Sequence, residues 1–220
     1  MCDVPATLIH LVRHGEVHNP QGVLYGRIEG FHLSELGVKR AAAAAGHFAG
    51  HPITAIHASP LQRAQESAAP WAEEFGVGIR TEDRLIEPWN KFEGRSSEFR
   101  SVLTRPSEWP WVANPFKPSW GEPYTEVGKR MIAAIDDAWE AADHGEVVMV
   151  SHQLPIVMVQ RAVAGTHLWH DPRDRRCSLS SVTTLARVVD PVSGAPRYRE
   201  VSYLEPAARL LAEAVDTGAV

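Results

Sequence analysis

Cysteine is nearly missing from this chain. Cys2 and Cys177 are the only two in 220 residues, far apart and outside any Cys-x-x-Cys or Cys/His metal spacing. That excludes a disulfide scaffold at this size and fits a reduced compartment. Also missing is the run of about 18 apolar residues that a membrane-spanning helix needs. Ser151, His152, Gln153 and Pro155 interrupt the most apolar stretch. The opening MCDVPATLIHLV has no basic segment ahead of its apolar part and carries Asp3 early, so it does not read as a signal peptide. Nor is there a basic surplus. The formal charge of −5 argues against a general nucleic-acid binder, although an acidic body can still hold a local basic pocket. The expectation is a cytoplasmic protein with neither nucleic acid nor membrane among its partners.

What is present is enough for one sizeable domain. Hydrophobic residues make up 44% and charged residues 22%, a balance that excludes a disordered chain. TLIHLV (7–12) is an apolar run of strand formers that stops at Arg13-His14-Gly15, as a buried strand entering a loop would. Ser34 suits an N-cap for the helix ELGVKRAAAAAGHFA, which Gly50 can end. The run Ala41–Ala45 reads as a close-packed helix face. A strand over Ala55–Ala58 is followed at once by Ser59-Pro60. Ser as cap and Pro at the first helical position predict a helix to about Phe75, stopped by Gly76.

A short strand is expected near 77–81, a helix over about 126–142 and a buried strand at EVVMV (146–150), with Pro155 near the start of the next helix. Strands over 181–189 and 197–203 flank PVSGAP as an antiparallel hairpin, and a helix over about 206–215 closes the chain. Between Pro88 and Pro123 the texture changes: six prolines mix with Trp89, Trp109, Trp111 and Trp120. This segment (88–124) reads as an ordered aromatic insertion with a helix near 97–103, and it could act as a lid. Alternating strands and helices predict an α/β fold: a single domain over 1–220, its mainly parallel sheet sandwiched by helices on both faces.

In open α/β sheets, ligands bind outside the carboxyl ends of the strands. The residues just past three predicted strand ends are RHGE (13–16), SPLQR (59–63) and SHQ (151–153). Arg13, His14, Arg63 and His152 could therefore converge, and helix N-termini would add positive dipole ends. Such a cleft on an acidic body suits a small polyanion such as phosphate, whose oxygens a guanidinium fork holds two at a time. Two histidines without a carboxylate cage suggest attack on phosphorus by imidazole. A departing alkoxide then needs a proton, and Glu87, between apolar residues in LIEPWNKFEG, is the best-placed donor.

The segments LVRHGE (11–16), LYGRIEGFHLSELG (24–37), SPLQRAQESA (59–68), LIEPWNKFEG (85–94), GEPYTEV (121–127) and VSHQLPI (150–156) together resemble the histidine phosphatase superfamily, in its phosphoglycerate mutase-like branch. They occur in the family's order over about two-thirds of the chain. The resemblance implies a phosphomonoester hydrolase that needs no metal or organic cofactor and acts on a small phosphorylated substrate. It makes His14 the nucleophile, Arg13 and Arg63 phosphate ligands, His152 a stabilising imidazole and Glu87 the proton donor. It also implies substrate contacts from Asn19, Gly26, Arg27 and Gln153.

Three departures from the family pattern stand out. Val17 replaces the usual Ser or Thr, Asn19 lies one residue closer to His14, and the stretch from Glu87 to Glu93 is about one residue short. Glu93, Glu82 and Asp83 are thus the alternative carboxylates. A mutase that returns the phosphoryl group to a sugar acid is the competing activity, and a non-catalytic phosphate-binding protein the competing class.

His167, His170 and Asp171 lack a third firm ligand, and no metal site is expected. His10, His18, His32, His47, His51, His57 and His144 show no ligand spacing and read as scaffold or solvent residues. An edge strand or the Trp-rich segment could support a homodimer. Trp89, Phe92, Trp109, Trp111 or Tyr124 could touch a leaving group, and Lys91 and Arg95 a second anion.

Overall fold

A computed structural model describes residues 6–95, 121–142, 144–189, 194 and 196–208. In chain order the elements are β1 (Leu8–Arg13), α1 (Glu35–His47), β2 (Ile53–Ala58), α2 (Gln62–Phe75) and β3 (Ile79–Thr81). Then come α3 (Tyr124–Ala141), β4 (Glu146–Ser151), α4 (Gln153–Val163), β5 (Val182–Val189) and β6 (Pro196–Leu204). Single 3-10 turns cover Asp83–Leu85 and Pro172–Asp174. The helices expected over 97–103 and beyond residue 208, together with Cys2, Trp109, Trp111 and Trp120, lie outside the described residues.

The strands form one sheet in the order β3-β2-β4-β1-β5-β6. β1 through β4 run parallel, while β5 and β6 add the antiparallel hairpin that the turn residues predict. The fold is therefore the single α/β domain expected. β4 shows why the centre is parallel. Val147, Val148, Met149 and Val150 are all fully buried, so neither face of the strand meets water. Val147 and Met149 pack with Met131, Ile135, Leu154 and Ile156 of α3 and α4. Val148 and Val150 pack on the other side with Ala44, Ala64 and Trp71 of α1 and α2. Burial of each such side chain contributes about 1.5–3 kcal/mol, so helices are needed on both sides.

Two helix starts show how local signals compete with tertiary demands. Ser34 caps α1 as expected, its Oγ accepting from the Gly37 N–H at 2.9 Å. The alanine face is also as expected, with Ala41, Ala44 and Ala45 buried. At α2 the expectation fails. The helix begins at Gln62 behind Leu61, with no side-chain cap, instead of behind Ser59-Pro60. The Ser59 hydroxyl accepts from the Leu61 N–H at 3.4 Å and contacts the imidazole of His152 at 2.8 Å. Gly76 ends α2 in the left-handed conformation at φ 64°, whereas α1 ends at Phe48, two residues short of Gly50. Among the described residues no helix is long and apolar enough to cross a membrane.

This topology sets the functional edge. Arg13 pairs with Ser151 across β1 and β4, and Ala58 with Val150 across β2 and β4. Three strands thus end level, and the loops that leave them share one rim.

Candidate active site

At that rim the backbone is held before any side chain acts. His14 N–H donates to the Ser151 carbonyl at 3.0 Å, tying the loop after β1 to the end of β4. Gly15 N–H donates to Ser67 Oγ at 2.9 Å, and that hydroxyl donates to the Arg63 carbonyl at 2.7 Å. The loop thereby locks to the first turns of α2. Two glycines permit this closeness. A Cβ on Gly15 would sit 2.6 Å from the Gly37 carbonyl oxygen, and one on Gly37 would sit 2.1 Å from that of Glu16.

Five side chains then meet below the surface: Arg13 and His152 are fully buried, His14 and Arg63 are 1% exposed and Glu87 is 5% exposed. His14 Nδ1 lies 2.7 Å from its neighbour's carbonyl, Gly15 O. A carbonyl only accepts, so Nδ1 carries the proton and Nε2 keeps its lone pair. His152 lies with its ring centroid 5.1 Å from that of His14. Its Nε2 is 2.8 Å from Ser59 Oγ and its Nδ1 is 3.6 Å from Glu87 Oε2. Arg13 donates to the Cys177 carbonyl at 2.7 Å. Arg63 donates to the Gly26 carbonyl at 2.7 Å and covers the Tyr25 ring, 4.7 Å from its centroid.

Electrostatics give these groups their protonation states. Burial, then the charges of Arg63 and Arg13, hold His14 well below the usual imidazole range. Burial, Arg63, His14 and Arg13 do the same for His152. Both rings are therefore neutral at pH 7. Burial pushes the Glu87 carboxyl up to about 7, against the opposing pull of Arg63, Arg175, Arg13 and Arg130. Glu87 Oε1, His152 Nδ1 and Arg63 Nε are buried and meet no hydrogen-bond partner among the described residues. Each such group costs about 1–3 kcal/mol unless a ligand satisfies it. The arrangement can surround an anion with guanidinium groups, offer it a neutral imidazole nitrogen and supply a proton.

Known proteins with similar sequences and folds place the chain in a family. The family model described as histidine phosphatase superfamily (branch 1) matches residues 9–189. The chain belongs to that superfamily. The "Uncharacterized protein Rv0525" of Mycobacterium tuberculosis is 48% identical over 203 residues, 92% of this chain and 98% of its own. A Yersinia pestis protein named "Probable phosphoglycerate mutase GpmB" is 28% identical over 186 residues, 79% of this chain and 83% of its own. Among solved structures, a mycobacterial glucosyl-3-phosphoglycerate phosphatase superposes with a TM-score of 0.71 at 23% identity, covering 89% of this chain and 97% of that one.

In this member of the superfamily the remaining expected site residues are engaged with other partners. The Asn19 side chain closes a turn, donating to the Val23 carbonyl at 2.8 Å and accepting from the Val23 N–H at 3.0 Å. Gly26 lends its carbonyl to Arg63. It adopts φ 39°, where a Cβ would fall 2.2 Å from Glu93 Oε1. Arg27 donates to the Glu87 carbonyl and, at 3.3 Å, to Glu122. Gln153 Oε1 accepts from Arg175 at 3.1 Å. Of the alternative carboxylates, Glu82 is bound by Arg84 and Glu93 Oε1 accepts from Asn90 N–H, while Asp83 is exposed at the start of its 3-10 turn. Glu87 alone of the four stands beside His152.

Three participants went unseen in the sequence: Ser59 on His152, Tyr25 under Arg63, and Arg175 between Gln153 and His170. Arg175 Nε donates to His170 Nε2 at 2.9 Å, and His170 Nδ1 donates to the Leu168 carbonyl at 2.8 Å. Asp171 is paired with Arg173. The His167-x-x-His170-Asp171 run is thus built into hydrogen bonds.

Proposed function

We propose that this chain hydrolyses a small phosphomonoester through a phosphohistidine formed on His14. The observation that carries this reading is the locked tautomer of a neutral His14, buried with Arg13, Arg63 and His152. His14 Nε2 forms the N–P bond as the P–O bond to the leaving group breaks, and Glu87 gives its proton to the departing alkoxide. Water then attacks phosphorus and passes a proton to the Glu87 carboxylate. The N–P bond breaks and inorganic phosphate leaves. Arg13, Arg63 and His152 meet the charge on the equatorial oxygens. In this reading the protein acts in the cytoplasm, without a metal or organic cofactor.

A mutase is the second reading, favoured by the relative named as a phosphoglycerate mutase. It differs only in the acceptor, a sugar acid in place of water. The test is hydrolysis of an aryl phosphate in excess chelator by the wild type and His14→Ala, with acid-labile phosphate trapped on the protein. Chelator-resistant turnover and label, both lost in the variant, support hydrolysis on His14. Turnover lost to chelator would sink it. Label without turnover, discharged by a phosphoglycerate but not by water, selects the mutase.

A further inference from the structure

A second histidine cluster lies at the other end of β1 and β4. His10 Nε2 and His51 Nδ1 each approach Glu146 Oε2 at 2.8 Å, and one ligand atom from each residue falls within 4.8 Å of the others. Glu146 opens β4, five residues before Ser151, so this cluster stands roughly 16 Å from the rim that carries His14. It is the one such His/Cys/Asp/Glu grouping among the described residues.

We propose that His10 Nε2, His51 Nδ1 and Glu146 Oε2 form a binding site for a zinc-class divalent transition metal, water completing a four-coordinate shell. Two imidazoles with one carboxylate suit Zn(II) and its neighbours, and disfavour Mg(II) or Ca(II), which take oxygen ligands. Zinc bonds of about 2.0–2.2 Å place tetrahedral ligand atoms roughly 3.3–3.5 Å apart. The two 2.8 Å contacts need to open by only a fraction of an ångström. His51 can supply that movement, since its side chain is 43% exposed on the loop between α1 and β2.

The ligand least able to move is already oriented. His10 is 1% exposed, and its other nitrogen, Nδ1, lies 3.0 Å from Thr184 Oγ1 on β5. Facing a carboxylate, His10 Nε2 and His51 Nδ1 now carry their protons. Coordination needs the opposite tautomers. For His10 the Thr184 hydroxyl serves both states, donating to Nδ1 in one and accepting from Nδ1–H in the other. For His51 the proton moves to the nitrogen away from Glu146. The bound ion joins β1, β4 and the α1–β2 loop, so its role is to brace the amino end of the sheet.

The test uses tag-free, full-length protein stripped by chelator and titrated calorimetrically with Zn(II) in a non-coordinating buffer. Co(II) is then substituted, to read the visible absorption of tetrahedral coordination. The expected result is one equivalent bound, a higher Tm with Zn(II), and affinity weaker by about 10-fold or more in His51→Ala and Glu146→Gln. His51→Ala alters an exposed side chain, and its folding is checked by circular dichroism and by unchanged phosphatase turnover. No bound equivalent in the wild type overturns the proposal. So does binding that survives in His51→Ala but disappears in His14→Ala, which assigns the ion to the phosphate pocket.

Discussion

β1 and β4 each carry a histidine-bearing end, and the two ends surround imidazole with opposite charge. At the carboxyl end, His14 and His152 lie beside Arg13 and Arg63, with Glu87 as the nearby carboxylate. At the amino end, His10 and His51 share the carboxylate of Glu146. The strand scaffold is the same, and what differs is the company. Burial with neighbouring cations keeps a ring neutral and its lone pair available toward an anion, whereas a shared carboxylate draws N–H groups inward and suits a cation. Residue type alone therefore does not define a histidine's role here.

The largest way to break the contrast is to remove one histidine from each end. His14→Ala is expected to lower turnover of an aryl phosphate by about 10⁴- to 10⁶-fold. His10→Gln, in folded protein, should leave turnover within about twofold, measured on the same substrate. Comparable losses at both ends would erase the distinction.

Next comes Glu87, the carboxyl held neutral. Below about pH 7 it is protonated and can act as an acid. Turnover of esters with poor leaving groups should therefore fall above that pH. Glu87→Gln should lower it by about 10²- to 10⁴-fold and should slow phosphoryl transfer from activated aryl esters to His14 far less, since their leaving groups need no proton. A pH–rate profile on both ester types checks this, and equal losses on both would remove Glu87 from the role.

Burial of this carboxyl also has a stability cost of defined sign. Its folded value of about 7 lies above the unfolded 4.5, so protonation favours the folded state. The contribution of this one group is most favourable below pH 4.5, declines between 4.5 and 7, and levels off above. Relative to Glu87→Gln the loss amounts to about 3 kcal/mol at most. Urea melts of both proteins at pH 5 and pH 8 should show the variant gaining at the higher pH. An equal difference at the two pH values would contradict the raised carboxyl.

A smaller effect tests the arginines. Arg63→Met removes the second-largest influence holding His14 down, so the His14 imidazole should titrate at higher pH than in the wild type. Histidine NMR resonances tracked through a pH series measure it. No movement would leave burial alone in charge of His14.

The parts legible in the sequence were those whose causes are local. EVVMV, the Ser34 cap and the Gly76 stop depend on neighbours within a turn or a strand, and all appear as expected. Arg13, His14, Arg63 and His152 were readable because each lies at a strand end or within five residues after one, and parallel topology brings strand ends together. Ser59 misled because it fits two positions. A cap signal is local, but the claim of His152 on its hydroxyl comes from 93 residues away. The His10–Glu146 contact spans 136 residues and depends on the β1–β4 register, which no spacing along the chain reveals. Asn19 failed to declare its partner for the opposite reason, since Val23 is only four residues on and nothing in NPQGV separates a turn former from a substrate contact.

The contact between His14 Nδ1 and the carbonyl of Gly15 also fixes where this imidazole can react. A ring held by its pros nitrogen can be modified only at the tele position. Any phosphoryl, or any alkylating reagent small enough to enter, should therefore yield a single regioisomer. The backbone of one glycine thus dictates the regiochemistry of the imidazole before it, and a positional mixture on His14 would mean that this short contact opens during reaction.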